Sequence, residues 1–236
     1  MQALTQLVLS QNQITDNGVQ YLAQALQNNT VRFNQFRHFI HFHLSVFIQV
    51  LTQLTLYENS IRDIGTLYLA QALQNNAVRL NHSPHFIHFY SSLFIQALTD
   101  LDLGANHIKE IGAQYLAEAL QKNTVSLSHF SYFIDFHFSF FIKVLTQLNL
   151  GSNQIGKQGA QYLATALQKN TVRQSHFAQL MHFRLFLFKQ ALTRLDLFGN
   201  DIQDKGAQYL GQALQNNTVR FNQSPHFIPL HLSLFI

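Results

Sequence analysis

The chain has 236 residues, is 47% hydrophobic, carries a formal net charge of +4 and contains no cysteine. The lack of cysteine excludes disulfide frameworks, thiol catalysis and the common zinc sites built on cysteine ligands. Met1 runs directly into repeated sequence without the apolar segment of a secretory signal. The longest apolar stretches also fall far short of the roughly 20 residues that a membrane-spanning helix needs. We therefore expect a cytoplasmic protein without a transmembrane segment.

One unit of sequence recurs five times along the whole chain. The run Leu-Thr-x-Leu-x-Leu begins every 47 residues, at Leu4, Leu51, Leu98, Leu145 and Leu192. An asparagine follows each run in the same register, at Asn12, Asn59, Asn106, Asn153 and Asn200. A glycine comes next, at Gly18, Gly65, Gly112, Gly159 and Gly206. Because a fixed period identifies a repeat architecture, the chain is expected to fold as a stack of similar units.

Each unit starts with a 28-residue module that predicts a strand, a turn and a helix. The five modules span residues 3–30, 50–77, 97–124, 144–171 and 191–218. Leu7-Val8-Leu9 alternates as a short strand with two leucines facing inward. Tyr21, Leu22, Ala25 and Leu26 recur at helical spacing after Gly18, which predicts a helix. Asn12 suits the turn because its amide can bond backbone groups that have left the strand, and such asparagines would align between stacked units. Asn28 and Asn29 are expected to close the helix.

The module from Leu145 to Thr171 has the pattern L-T-x-L-x-L-x-x-N-x-I-x-x-x-G-A-Q-Y-L-A-x-A-L-Q-x-N-T. It resembles the leucine-rich repeats of ribonuclease inhibitor and those at the C-terminal end of NOD-like receptors. The resemblance covers 140 of the 236 residues. It implies an α/β solenoid, in which a curved parallel sheet is backed by helices and neighbouring modules bury the apolar faces. Since neither end carries a polar cap, we expect a fragment of a longer array.

The remaining 19 residues of each unit have a different composition, and we call these segments the inserts. They span residues 31–49, 78–96, 125–143 and 172–190, with an incomplete copy at 219–236. The inserts hold 21 of the 22 phenylalanines and 12 of the 13 histidines. They carry eight basic residues and one acid, Asp135, against seven basic and ten acidic residues in the modules. The positive net charge therefore comes from the inserts alone.

The inserts fit two interpretations. Four begin Val-Arg and one Val-Ser, which GTN-AGN codons can encode, the pattern of a splice donor. The complete copies end in Gln or Lys, which CAG or AAG codons can encode, the pattern of a splice acceptor. Nineteen codons are 57 nucleotides, so translation through such an intron would keep the reading frame. We hypothesise that the inserts are translated intron sequence. The alternative is that they are genuine loops between each helix and the next strand, which solenoids tolerate. If translated, they should form irregular loops or extra strands.

The inserts contain residue clusters that could bind metals, membranes or nucleic acid. His38, His41 and His43, and again His82, His85 and His88, have spacings that can bind zinc or copper, but later inserts keep only pairs such as His129 and His137 or His226 and His231. Basic and aromatic residues in the inserts also suggest binding to an anionic membrane or to nucleic acid. Their cations are scattered, however, and alternating Phe and His is typical of aggregation-prone strands. We therefore expect no metal, no cofactor, no membrane and no nucleic acid.

The preferred interpretation is a non-enzymatic scaffold that binds another protein through the concave face of the solenoid. Tyr57, Arg194 and Phe198 are the expected anchors, because tyrosine and arginine dominate interface hot spots and aromatic residues are enriched in interfaces. Asp100, Asp102 and Asp196 are expected to lie close together on this face, where paired carboxylates can serve acid–base chemistry, although solvated binding surface is the simpler interpretation. The full predicted partner-binding set is Tyr57, Glu58, Asp100, Asp102, Arg194, Asp196 and Phe198. Ran GTPase-activating protein shares repeats of this type, which makes GTPase regulation an alternative function.

Overall fold

The computed structural model describes residues 4–28, 32–33, 42–49, 51–75, 79–81, 89–96, 98–122, 126–128, 136–143, 145–169, 183–190 and 192–216, with side chains in 4–28, 51–74, 98–122, 145–169 and 192–215. The elements within the modules are β1 (Gln6–Val8), α1 (Asp16–Asn28), β4 (Gln53–Thr55), α2 (Asp63–Asn75), β7 (Asp100–Asp102), α3 (Glu110–Lys122), β10 (Gln147–Asn149), α4 (Gly156–Lys169), β12 (Arg194–Asp196) and α5 (Gln203–Asn216). The elements within the inserts are β2 (Arg32–Phe33), β3 (Phe42–Gln49), β5 (Arg79–Asn81), β6 (Phe89–Gln96), β8 (Ser126–Ser128), β9 (Phe136–Lys143) and β11 (Phe183–Gln190).

The module strands form one parallel sheet in the order β1-β4-β7-β10-β12. Equivalent residues pair across it, so that Leu7 lies opposite Leu54 and Leu148 lies opposite Leu195. Since side chains alternate between the two faces of a strand, every central leucine points to the same side. Leu54, Leu101 and Leu148 are buried on that side against the helices. The five parallel strands alternating with five helices form an α/β repeat solenoid.

The helices pack side by side in chain order, each against the next. Their buried positions are mostly alanine and leucine, as in α3, where Ala113, Leu116, Ala117 and Leu120 are buried. Small alanines let neighbouring helices approach while the leucines fill the space behind the sheet. The predicted helix is confirmed in all five modules. In α1, Tyr21 and Ala25 are exposed, whereas the equivalent Tyr68 and Ala72 of α2 are half-buried and buried.

A row of buried asparagines joins successive turns, which confirms the expected alignment. The side-chain oxygen of Asn59 accepts hydrogen bonds from the backbone N–H groups of Asn12 and Ile14 in the preceding module. Its amide donates to the carbonyl of Leu9 in that module and to the carbonyl of Leu56 in its own. Buried backbone groups that have left the strand are therefore satisfied by the neighbouring module instead of by water.

Threonines form a second row at the start of the strands. The Thr52 hydroxyl donates to the carbonyl of Thr5 at 2.9 Å, and the Thr99 hydroxyl donates to the carbonyl of Thr52 at 3.1 Å. The same bond recurs from Thr146 to Thr99 and from Thr193 to Thr146. Both rows link adjacent modules, so each module boundary is held by polar as well as apolar contacts.

The described parts of the inserts are extra strands, one of the two conformations expected for them. They form two further parallel sheets, in the orders β11-β9-β6-β3 and β2-β5-β8. Equivalent residues pair here too, so that Phe42 lies opposite Phe89 and Phe136 lies opposite Phe183. Across the helices that the structure describes, none combines the length and apolar character needed to cross a membrane.

Candidate partner-binding face

The side of the five-stranded sheet that faces away from the helices carries the predicted site residues. Strand alternation places the residues within the strands opposite the buried leucines, whereas Tyr57, Glu58 and Phe198 lie in the segments that follow the strands. We call this surface the outer sheet face; it comprises Gln6, Val8, Gln53, Thr55, Tyr57, Glu58, Asp100, Asp102, Gln147, Asn149, Arg194, Asp196 and Phe198.

The predicted carboxylates lie on one surface without contacting one another as a pair. Asn149 is the register partner of both Asp102 and Asp196, and therefore lies between them. The Asp102 carboxylate accepts a hydrogen bond from the N–H of Gly104 at 2.9 Å, and that of Asp196 accepts one from Phe198 at 3.0 Å. Each carboxylate thus holds the turn that follows its own strand, a role that was not inferred from the sequence.

Asp100 lies at the start of β7, at the opposite end of this strand from Asp102. Its carboxylate accepts a hydrogen bond from the Thr99 hydroxyl at 2.6 Å. Its register partners on the neighbouring strands are Gln53 and Gln147, which are neutral. The three aspartates therefore lack the direct carboxylate pairing that acid–base chemistry uses, and they contribute separate negative charges to the outer sheet face.

The two predicted aromatic anchors have different surroundings. The Tyr57 ring lies over Gly104 of the next module, where an added Cβ would come within 3.0 Å of the ring carbon Cδ2. The glycine therefore makes room for the ring, and Tyr57 is 39% exposed. Phe198 is 78% exposed and projects from the last described turn. Tyr57 is therefore covered on one side by the next module, whereas Phe198 exposes most of its apolar surface.

The other two charged residues of the predicted site, Arg194 and Glu58, are exposed and have few polar contacts. Arg194 Nη2 lies 3.9 Å from Asp196 Oδ2 on the same strand, with both groups accessible to solvent. Such exposed pairs contribute little to stability, so the guanidinium remains able to bind another group. Glu58 accepts a hydrogen bond from the Gln11 side-chain amide at 2.7 Å. Its backbone has a φ of 54°, and the equivalent residues Gln11, Ala105, Ser152 and Gly199 share this left-handed turn conformation.

The histidine clusters considered as metal sites fall outside the described side chains. His38, His41, His82, His85 and His88 lie outside the described residues, and only the backbone of His43 is described, within β3. The part of the chain whose side chains are described contains no group of three or more His, Cys, Asp or Glu residues positioned to bind a metal.

Two aspartates link neighbouring modules in a way that sequence reasoning missed. The Asp16 carboxylate accepts hydrogen bonds from the N–H groups of Arg62 and Gly65, at the start of the next helix. The Asp63 carboxylate does the same for Lys109 and Gly112. The sequence does contain a pattern that could have predicted this role: four of the five modules have an acidic residue at the same position of the repeat, namely Asp16, Asp63, Glu110 and Asp204. These carboxylates act as helix N-caps supplied by the preceding module.

The comparison with known families agrees with this architecture. A family model described as leucine rich repeat matches residues 1–23, 143–164 and 189–211. Three segments of the chain are therefore similar to leucine-rich repeats. The matched segments cover the strand, the turn and the first part of the helix in the first, fourth and fifth repeats. No curated protein matches the chain.

Proposed function

We propose that this leucine-rich repeat chain is a non-enzymatic scaffold of ribonuclease-inhibitor type, similar to the repeats of NOD-like receptors, that binds another protein through a concave face. The outer sheet face is the surface proposed for binding. The proposal rests on the difference in sequence variation between this face and the opposite face of the sheet, which packs on the helices. The inward strand positions are leucine in every repeat, whereas the outward positions change from Gln6 to Asp100 to Arg194 at one register position. Constant inward residues maintain the stack, and variable outward residues give each repeat a different contact surface.

The chemistry of the outer sheet face suits a protein partner. Tyr57 and Phe198 offer aromatic surface, and Arg194 offers a planar group with several donors. Between them lie Asp102 and Asn149, which can accept hydrogen bonds from a partner with atoms not used in their own turns. Aromatic anchors surrounded by polar groups are typical of protein interfaces. Rigid strands position these groups, so little ordering is needed on binding.

The proposal is tested by quantitative capture from a cell extract, followed by binding measurements with the purified captured protein. The test variant combines Tyr57→Ala, Arg194→Ala and Phe198→Ala. The matched control combines Ile64→Ala, Ile111→Ala and Lys157→Ala, which removes two apolar residues and one basic residue, all exposed, from the helical side. We expect the test variant to weaken binding about a hundredfold or more, as loss of hot-spot residues does. If both variants lose affinity equally, or if neither loses affinity, the outer sheet face is not the binding surface.

A further inference from the structure

The net negative charge of the modules lies on the outer sheet face. The modules carry ten acidic and seven basic residues, all within the part of the chain whose side chains are described. Four of the acids and one base belong to this face, which gives it a net charge of −3; they are Glu58, Asp100, Asp102, Asp196 and Arg194. The other six acids and six bases of the modules balance one another. The two sides of the solenoid therefore differ in charge as well as in sequence variation.

The fold does not require the negative charge of Asp102. Its Oδ1 atom accepts a hydrogen bond from the N–H of Gly104 at 2.9 Å. In the next repeat, Asn149 Oδ1 accepts the equivalent bond from the N–H of Gly151 at 2.8 Å. A neutral amide thus holds the same turn as well as a carboxylate does. The charge of Asp102 is additional to the structural role of this position.

The charge of Asp100 is not required either. Its register partners on the two neighbouring strands, Gln53 and Gln147, are neutral. The Thr99 hydroxyl donates to the Asp100 carboxylate at 2.6 Å, but it also lies within hydrogen-bonding distance of the carbonyl of Thr52 at 3.1 Å. The hydroxyl therefore keeps an acceptor when the carboxylate is replaced. Since like charges on one surface repel, a group outside the repeats explains these two carboxylates better than stability does.

An aromatic ring and an amide lie beside the Asp102 carboxylate. Tyr57 Cδ2 and Asn149 Nδ2 each lie 3.0 Å from the position that a Cβ on Gly104 would occupy, and Asp102 Oδ1 lies 3.2 Å from it. Three different groups, from three successive repeats, therefore meet over one glycine. A guanidinium group matches this arrangement, because its plane stacks on aromatic rings and its N–H groups pair with a carboxylate.

We propose that the outer sheet face binds a positively charged, extended segment of its partner, with an arginine side chain seated against Tyr57 and Asp102. This inference rests on the proposed function and adds the chemistry of the partner to it. The evidence for this occupant is charge complementarity, which selects partners and speeds their encounter. Asp100 and Asp102 lie about 7 Å apart along one face of β7, the same spacing as alternate side chains of an extended peptide. A second cation of the segment is therefore placed at Asp100.

Fluorescence anisotropy of the full chain with a short labelled peptide of alternating arginine and serine tests this proposal. The test variant, Asp100→Gln with Asp102→Asn, changes β7 from Asp-Leu-Asp to the Gln-Leu-Asn of β10, a sequence that the sheet already contains. We expect it to bind the peptide about tenfold more weakly, as the loss of two partly exposed ion pairs predicts. The converse variant, Gln147→Asp with Asn149→Asp, gives β10 the sequence of β7 and should bind the peptide more tightly.

The matched control, Glu118→Gln with Asp201→Gln, removes two negative charges from outside the outer sheet face. Glutamine already occupies both register positions elsewhere in the chain, at Gln71 and Gln13. The control has the same total charge as the test variant, so it separates a local contact from attraction to the whole molecule. It should bind the peptide as wild type does. Circular dichroism verifies that every variant is folded.

The results that overturn the proposal differ from those that overturn the proposed function. The proposal is wrong if a glutamine-serine peptide binds wild type as well as the arginine-serine peptide, if control and test variant lose affinity equally, or if the converse variant binds no more tightly. A lysine-serine peptide should bind more weakly, and equal binding would overturn the choice of arginine. The capture experiment with Tyr57, Arg194 and Phe198 does not depend on the charge of the partner, so failure of the peptides leaves the proposed binding face standing.

Discussion

The side-chain oxygen of Asn106 accepts a hydrogen bond from the backbone N–H of Ile61 in the preceding repeat, at 3.0 Å. The Asn106 amide donates to the carbonyls of Leu56, Leu103 and Gly104. One buried side chain thus satisfies four backbone groups in two repeats. Among the amino acids, only asparagine and its longer homologue glutamine have a side-chain amide, which combines an acceptor oxygen with two N–H donors in one plane.

Replacing Asn106 by alanine should lower the free energy of unfolding by roughly 3 kcal/mol, since it leaves buried backbone groups without partners. Asn12→Ala is the matched control, because Asn12 is exposed and its amide donates only to Ser10 among the described groups. The control should cost less than about 1 kcal/mol. Urea unfolding followed by circular dichroism measures both values. Equal effects of the two substitutions would mean that the asparagine row does not stabilise the stack.

Replacing Asp63 by alanine should destabilise the chain by about 1 kcal/mol, the usual cost of losing a helix N-cap. The loss falls on α3 of the next repeat, because the Asp63 carboxylate binds the N–H groups of Lys109 and Gly112. Asp63→Asn retains a cap oxygen and should recover most of the stability. Hydrogen exchange at those two amides is the direct measurement. Unchanged exchange rates in Asp63→Ala would contradict capping between repeats.

Two glycine-to-alanine substitutions should change the free energy of unfolding in opposite directions. An added Cβ at Gly112 would lie 2.6 Å from Asp63 Oδ1 and 2.7 Å from Ile108 Cγ2, so Gly112→Ala should destabilise by roughly 1–3 kcal/mol through overpacking. Gly211 lies in α5 with open space around the same position. Gly211→Ala should stabilise by up to about 1 kcal/mol through helix propensity. Thermal unfolding of both variants checks the prediction, and a stabilising Gly112→Ala would show that the cap is not tightly packed.

Removing residues 31–49, 78–96, 125–143 and 172–190 joins the modules directly and should leave the five-stranded sheet folded. The reason is that asparagine, threonine and leucine contacts between repeats involve module residues alone. We expect higher solubility and one cooperative thermal transition. A shortened chain that fails to fold, while the full chain unfolds cooperatively, would show that the inserts are structural.

The intron hypothesis has its own measurement. Sequencing the transcript across the codons for Thr30 to Val50 and comparing it with the gene shows directly whether the 57 nucleotides are spliced. We expect them to be absent from mature RNA. If they are retained, the inserts are part of the working protein, and the second interpretation, genuine repeated loops, replaces the first.

The repeat architecture could be predicted because its cause is local and recurs. Leucines at alternating strand positions, the asparagine of each turn and the alanines and leucines of each helix mark the same elements in every module. The contacts between repeats were harder to predict, because they join residues far apart in the chain. Asp16 looks like an ordinary turn residue until the next helix is placed against it. The separation of Asp102 from Asp196 by Asn149 follows only from the order of the strands in the sheet.

The asparagine row also gives the stack a polarity. The N–H groups of Ile14, Ile61, Ile108 and Ile155 are each bound by the asparagine of the repeat that follows and not by the asparagine of their own repeat. Loss of one asparagine should therefore disturb the turn of the preceding repeat as well as its own, so that a defect in one repeat spreads towards the N-terminal side of the stack.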